Sequence, residues 1–371
     1  YRWWTLRKHI KQTPVGYAFT EFLVNRSYAD KYNLISCALG HHIYESRWLR
    51  DTTYINQGIR TWYRGNEGAP MKKMMTFSSW NIDAQLQKYF VSGDKIFLLN
   101  MLKDMEAEYQ RWENTHRLKS GLYWQGDVQD GMEETISGGR KKQFARPTIN
   151  SYMYGNARAL SEIFALAGNT EKSKLYTLKA DTIQKLIQTK LWGEKLGFFE
   201  TLRTDSLANV REFIGFLPWY FNMPTSAKCD SAWLQLGDEK GFSAPFGMTT
   251  AERRHPEFRT RGVGKCEWDG AVWPFATSQV LTAMANFMNN YNQKTATDSL
   301  YFDVLETLVE SQHYRGRPYI GEYLDEVTGY WLKGDQERSR YYNHSTFNDL
   351  IITGLVGLRP RADNTIEINP L

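Results

Sequence analysis

The sequence predicts an all-α toroid of six helical hairpins, an (α/α)6 arrangement with minor β-hairpins in its long loops. Three observations predict it. Apolar residues recur with helical spacing over most of the chain, the helical stretches come in pairs with short joints, and long polar, glycine-rich connections separate the pairs. In chain order, helices are expected over 1–11, over 32–48 and 52–63 joined at Arg50-Asp51, and over 78–92 and 94–118 joined at Gly93. The pair 149–168 and 170–192 carries the clearest pattern. Ile149, Met153, Ala157, Leu160, Phe164 and Ala167 share one stripe of its first member; Tyr176, Ala180, Ile183, Ile187 and Leu191 share one of its second. Gly168-Asn169 between them is a helix stop, with Thr170 as the expected N-cap. Further helices are expected over 210–222, over 269–291 and 296–314 as a pair, and over 340–357. Strand signals are confined to 197–202 and 365–368.

The connections between pairs, 119–148, 193–209, 237–268 and 315–339, are the long ones. Short joints at one end of a helical ring and long ones at the other put every long loop on the same face, and long loops in a compact domain usually carry function. The chain is read as a single catalytic domain over 1–371. It starts at Tyr1 and ends in Asp363-Asn364-Thr365-Ile366-Glu367-Ile368, a turn followed by strand alternation. Both are expected of a piece excised from a longer chain that continues into a β-domain.

Composition narrows the function. With 46 Lys+Arg against 41 Asp+Glu the net charge is +5, and no run of five like charges occurs, so nucleic acid is not an expected partner. No stretch approaches 18 consecutive apolar residues, so no membrane span is expected. Cys37, Cys229 and Cys266 form neither a disulfide framework nor a zinc spacing. His41 and His42 are adjacent and cannot share a helix face, and His9, His116, His255, His313 and His344 are scattered. No cofactor is expected; a structural calcium held by loop oxygens would leave no readable spacing. The unusual figure is 15% aromatic residues, more than a core requires, so many rings are expected to line something.

Carboxylates set among those rings are the candidates for chemistry. The first long loop, Trp124-Gln125-Gly126-Asp127-Val128-Gln129-Asp130-Gly131-Met132-Glu133-Glu134, holds four acids. Asp127 and Glu134 read as solvated turn acids. Asp130 or Glu133, near Trp124 and Met132, is a candidate general acid whose pKa partial desolvation would raise. In the last long loop Glu322 lies between Tyr319 and Tyr323, and a charge among rings is costly without a partner or a task. Asp269 in Trp268-Asp269-Gly270-Ala271-Val272-Trp273 reads either as a ligand-binding acid or as the N-cap of the following helix. The indoles Trp268 and Trp273 offer flat faces to sugars or to the core. A further cluster, Ser78-Ser79-Trp80-Asn81-Ile82-Asp83, opens a helix behind a serine cap and adds Trp80 and Asp83. Two acids on distant loops of one face, among Trp and Tyr, suit glycoside hydrolysis. No GxSxG, HExxH, GxxxxGK[ST] or GxGxxG motif competes.

These segments resemble the six-hairpin (α/α)6-barrel glycoside hydrolases, nearest to the group of family 63 α-glucosidases, family 37 trehalases and mannosylglycerate-hydrolase-like domains. Asp130-Gly131-Met132-Glu133 is similar to the general-acid segment, whose last position is normally aspartate, so Asp130 competes with Glu133. Gly321-Glu322-Tyr323-Leu324-Asp325 followed by Thr328-Gly329 resembles the general-base loop and implies Glu322 as base. Thr148-Ile149-Asn150-Ser151-Tyr152 matches the next helix pair. Trp268–Pro274 resembles the aromatic substrate-binding segment, with Asp269 where a basic residue is commoner. Tyr28-Ala29-Asp30-Lys31-Tyr32-Asn33 sits where relatives carry a Trp-Asp substrate contact; the tryptophan is missing, which leaves Asp30. The resemblance implies an inverting glycosidase acting on an oligo- or polysaccharide in a bacterial periplasm or outside the cell. Its substrate-binding set would be Trp80, Asp83, Trp124, Trp268, Asp269, Trp273, Tyr319, Tyr323 and Asp30. Inversion leaves room for a water, so carboxyl groups roughly 6.5–9.5 Å apart are expected. Two alternatives stay open. One is a polysaccharide lyase using Tyr341-Tyr342-Asn343-His344 and the basic residues Arg253, Arg254, Arg259, Arg261 and Lys265. The other is a non-catalytic glycan-binding module.

Overall fold

The protein is described by a computed structural model covering residues 1–363 and 365–371. Asn364, part of the expected terminal turn, lies outside the described residues. The chain is predominantly helical with a few two-stranded sheets.

Helix α1 (Arg2–Lys8) is shorter than its expected span because the chain turns at once into a hairpin, β1 (Ile10–Thr13) against β2 (Gly16–Phe19). Helix α2 (Leu39–Ser46) starts seven residues later than expected, since Tyr32 and Asn33 adopt positive φ. Helices α3 (Thr53–Arg64), α4 (Asn81–Ser92) and α5 (Lys95–His116) follow. Gly93, at φ 66°, ends α4, and the Asp94 carboxylate caps α5 on the Phe97 amide. No serine caps α4: its first turn is entered from Trp80 without a side-chain cap.

Helices α6 (Pro147–Leu166) and α7 (Thr170–Lys190) form the expected hairpin, capped by Asn169 rather than Thr170. They differ in environment. Sixteen of the twenty residues of α6 are buried, against four of the twenty-one of α7. So α6 is wrapped by protein and α7 packs on it by the Tyr176–Ile187 stripe. A short hairpin pairs β3 (Trp192–Gly193) with β4 (Phe198–Phe199), of which only β4 falls inside the expected strand region. The helix expected over 210–222 is broken: a 3-10 turn over Phe213–Phe216 runs into the single turn α8 (Leu217–Tyr220). Then come α9 (Pro274–Asn290) and α10 (Asp298–Ser311), the hairpin β5 (His313–Tyr314) with β6 (Arg317–Pro318), a π-helical segment (Leu350–Leu355), and β7 (Leu358–Arg359) pairing β8 (Glu367–Ile368). The long helix expected over 340–357 is therefore mostly absent. Tyr341 has positive φ, and Asn343 is held in extended chain by the Glu21 carbonyl and the Thr20 carbonyl.

The inner elements pack in succession: α2 on α4, α4 on α6, α6 on α8, α8 on α9, and α9 on the π-helical segment. From there the chain reaches α2 again. Glu45 accepts the amide of Phe347 at 2.8 Å, and Arg47 holds Asp349 in a buried ion pair at 2.8 Å.

Candidate active site

A cavity of about 410 Å³ opens where five distant stretches of chain meet, and both principal candidate acids line it. Glu133 comes from the first long loop. There a 3-10 turn (Val128–Asp130) ends at Gly131, whose φ of 75° suits glycine and turns the chain so that Met132 is buried and Glu133 faces the cavity. Burial pushes Glu133 up to about 7, and the charges of Glu322 and Asp127 add to the push.

Glu322 enters from the last long loop. Gly321 before it lies so close to the rings of Trp331 and Tyr319 that a Cβ would overlap them, which fixes the direction of the chain. The Glu322 amide donates to Ser339 Oγ at 3.2 Å. His344 donates from Nε2 to its carbonyl at 3.0 Å. Burial pushes that imidazole down to about 3, so it stays neutral. Glu322 is 4% exposed, with Arg338 Nη1 at 3.2 Å from Oε2 and the Tyr342 hydroxyl donating to Oε1 at 3.4 Å. Burial raises its pKa and Arg338 opposes the rise. The two acids thus differ in company: among the described residues one has a cation paired with it, and the other does not.

The wall beside them is aromatic. Trp268 and Trp273 line the cavity and lie parallel, ring centres 3.8 Å apart. Tyr323 stacks behind Trp273 at 4.3 Å and donates its hydroxyl to the Lys265 carbonyl, while Trp273 Nε1 donates to the Glu267 carbonyl. Phe275, at the start of α9, packs edge-on against Trp268.

The other candidates lie elsewhere. Asp130 does not line the cavity. Its carboxylate takes Ser78 Oγ at 2.6 Å and Arg146 Nε at 2.6 Å, in a fully buried ion pair. Asp127 is also buried, not a solvated turn acid; it accepts the Val128 amide and lies near Thr135. Glu134 pairs with Arg140. Asp269 is wholly buried and caps no helix, because α9 starts five residues later. Instead it accepts the amides of Arg261 and Gly262 and shapes the loop that delivers Trp268. Trp80 is a core residue beneath the cavity, packed on His41, Tyr152 and Phe275. Asp83 faces a separate cavity and accepts the Tyr44 hydroxyl at 2.8 Å. Trp124 stacks on His116, Tyr319 packs on Trp331, and Asp30 ties down the amides of Lys31 and Lys73 near the surface. The basic residues of the lyase alternative are engaged away from the cavity. Arg259 pairs with Glu267, Asp325 and Glu326, Arg261 with Glu257, and Arg254 with Asp238.

Glu21, Arg26, Cys37 and Arg338 line the cavity and were not singled out from sequence. Phe19-Thr20-Glu21-Phe22 carries the signal that drew attention to Glu322, an acid between rings, and would have given Glu21 by the same rule. Nothing local marks Arg338.

Asp130→Asn gives a direct check on the placement of that residue. It leaves the buried Arg146 guanidinium without its counter-charge, so stability should fall by about 3–5 kcal/mol. The dependence of rate on leaving group should stay as in the wild type. Chemical denaturation and a short series of aryl glycosides measure both.

Comparison with known proteins gives this cavity a class: it lies in a glycoside hydrolase family domain. The family model described as mannosylglycerate hydrolase MGH1-like glycoside hydrolase domain matches residues 31–345, and the chain belongs to that family. A solved structure named sialidase superimposes with a TM-score of 0.99 and 72% identity over 100% of this chain and 34% of that one. The GH63 mannosylglycerate hydrolase of Thermus thermophilus, in complex with glucose, shares the fold with a TM-score of 0.71 at 13% identity, over 95% of this chain and 98% of its own. An uncharacterized protein of Borreliella burgdorferi is 20% identical over 239 residues, 63% of this chain and 48% of that protein. The chain thus spans about half of the Borreliella relative and about a third of the sialidase chain.

Proposed function

We propose that the domain hydrolyses a glycosidic bond with inversion of configuration, Glu133 acting as general acid and Glu322 as general base. One observation carries the reading. Two carboxyls from loops nearly two hundred residues apart in sequence line a single indole-walled cavity, and their environments differ in the sense the two roles require. The acid must arrive protonated, and Glu133 holds its proton to about 7. The base must arrive ionised; burial raises Glu322 as well, but Arg338 beside it opposes the rise, a counter-charge that Glu133 lacks among the described residues. Trp268 and Trp273, whose faces are covered by each other, by Tyr323 and by Phe213, would give the sugar a rigid apolar wall. As the water attacks the anomeric carbon, Glu322 removes its proton. Glu133 gives its own to the departing oxygen, so each product leaves with a complete set of hydrogens.

The succession of inner elements that returns to α2 supports an (α/α)6 toroid and a single catalytic unit. The substrate we propose is an oligo- or polysaccharide met in the periplasm or outside a bacterial cell, a setting that rests on the family resemblance. The sialidase name belongs to a chain of which this domain matches 34%, and no sugar is assigned from it. β-Elimination is the weaker reading. Tyr342 and His344 do line the cavity, but burial pushes His344 down to about 3 and leaves it a poor base.

A panel of para-nitrophenyl glycosides, followed by NMR of the first-formed sugar, tests the proposal. The expected product has the anomeric configuration opposite to the substrate. Retention, or an unsaturated product absorbing in the ultraviolet, rejects it.

A further inference from the structure

The cavity holds a third carboxyl, Glu21, for which the acid–base pair leaves no task. It is 5% exposed, so the fold has sequestered a charge-bearing group against the usual penalty. Its backbone is fixed, because the Glu21 carbonyl accepts the Asn343 amide at 2.7 Å and the Asn343 side chain donates to the Thr20 carbonyl at 3.0 Å. Its side chain is fixed as well: Oε2 accepts the Cys37 thiol at 2.9 Å. A thiol is a weak donor, a poor match for a buried carboxylate.

The supply of donors is short on the cavity side. The Tyr342 hydroxyl has one proton and lies close to two acids, Glu21 and Glu322, and it donates to Glu322 Oε1 at 3.4 Å. With that proton on Glu322, which Arg338 also serves, Glu21 lacks a strong donor, and a buried acceptor left unmade costs about 1–3 kcal/mol. Arg338 cannot make up the deficit for both, being engaged with Glu322. A sugar ring presents several hydroxyl donors at the reach needed. Burial, with the charges of Glu322 and Glu133, pushes Glu21 up to about 7, in line with a group whose partner is still missing.

We propose that Glu21 is a substrate-contacting residue that accepts a hydrogen bond from a hydroxyl of the sugar held between Glu133 and Glu322, and so selects sugars carrying that hydroxyl. This rests on the reading of Glu133 and Glu322 as the acid–base pair. The neutral thiol of Cys37 and the fixed backbone hold one edge of the carboxyl in place; the other edge is the recognition surface. A site built to bond a hydroxyl rejects the analogue lacking it far more strongly than an apolar wall rejects a lost methylene.

The test compares the wild type with Glu21→Gln and Glu21→Ala, and Glu322→Gln alongside, on the aryl glycoside selected by the panel and on its monodeoxy analogues. Glu21→Gln keeps the volume of the side chain, and melting temperatures identify a variant that has not folded. One monodeoxy substrate should lose about tenfold or more in kcat/KM with the wild type, and that penalty should vanish in Glu21→Ala, as expected when both changes remove one contact. KM for the parent glycoside should rise at least about tenfold in Glu21→Ala, and less in Glu21→Gln, whose amide oxygen can still accept, with a smaller change in kcat. Equal deoxy penalties in wild type and Glu21→Ala at every position overturn the proposal, as does wild-type kcat/KM in Glu21→Ala. If those results come with an inactive Glu322→Gln, only the role of Glu21 is lost. If Glu21→Gln abolishes turnover while Glu322→Gln retains it, Glu21 is itself the base, and both readings fall.

Discussion

Glu322→Gln should lower kcat by about 10²–10⁴-fold, the range a positioned general base supplies, while the domain stays folded. The amide fills the same volume and can still accept from Tyr342, so far-ultraviolet dichroism and melting temperature should change little. What disappears is the carboxylate that takes the proton from water, together with the counter-charge of Arg338. Azide needs no deprotonation to attack. It should therefore restore part of the rate and give a glycosyl azide of inverted configuration. A second effect follows from the charges. Glu322 raises the pKa of Glu133, so the residual activity should decline at lower pH than in the wild type. Near-normal turnover in Glu322→Gln would remove the base assignment.

Glu133→Gln is the second large effect, and its size should depend on the substrate. A sugar aglycone leaves as a poor anion and needs its oxygen protonated, so loss there should again reach about 10²–10⁴-fold. A dinitrophenyl glycoside departs without help and should lose about tenfold or less. The pH profile gives an independent reading. Burial keeps Glu133 protonated up to about 7, so wild-type activity should fall as pH rises through that value. The variant has no proton to lose there, and its profile should be flat over the same range. Linkage has the same sign: an acid whose folded pKa is raised adds stability below its unfolded value near 4.5, and that contribution is lost as pH climbs to about 7. A loss of equal size for both leaving groups would assign Glu133 a structural role instead.

The sequence made the helical pairs legible where one face alone was apolar, as in α7, and where a joint had its own chemistry, as at Gly93. It misled where polar residues were buried by tertiary bonds. The helical spacing of 340–357 was overridden once Asn343 had found partners across the chain at Thr20 and Glu21. The site was legible to the same degree. Glu133, Glu322, Trp268 and Trp273 stood out because an acid or an indole in a glycine-rich loop is conspicuous. Asp130 and Asp269 looked alike by that criterion, yet each is occupied by partners that only folding brings near, Arg146 for one and two loop amides for the other. Arg338 and Cys37 were invisible for the converse reason: their importance comes from what they face, and that is set by segments three hundred residues apart in the chain for Cys37 and Tyr342.

The bonds that join the first fifty residues to those beyond 340, among them Arg2 with Asn343, His9 with the Tyr341 carbonyl, Glu45 with Asn348 and Arg47 with Asp349, imply an order of assembly. During synthesis the opening segment must wait for nearly the whole domain to emerge before it meets its counterpart, and closing so long a loop is among the last events such a topology permits. Glu21 arrives from one side of that seam, Glu322 and Tyr342 from the other. A nascent, nicked or truncated chain therefore carries every helix needed to look folded and no working pocket, so competence appears only when the two ends have found each other.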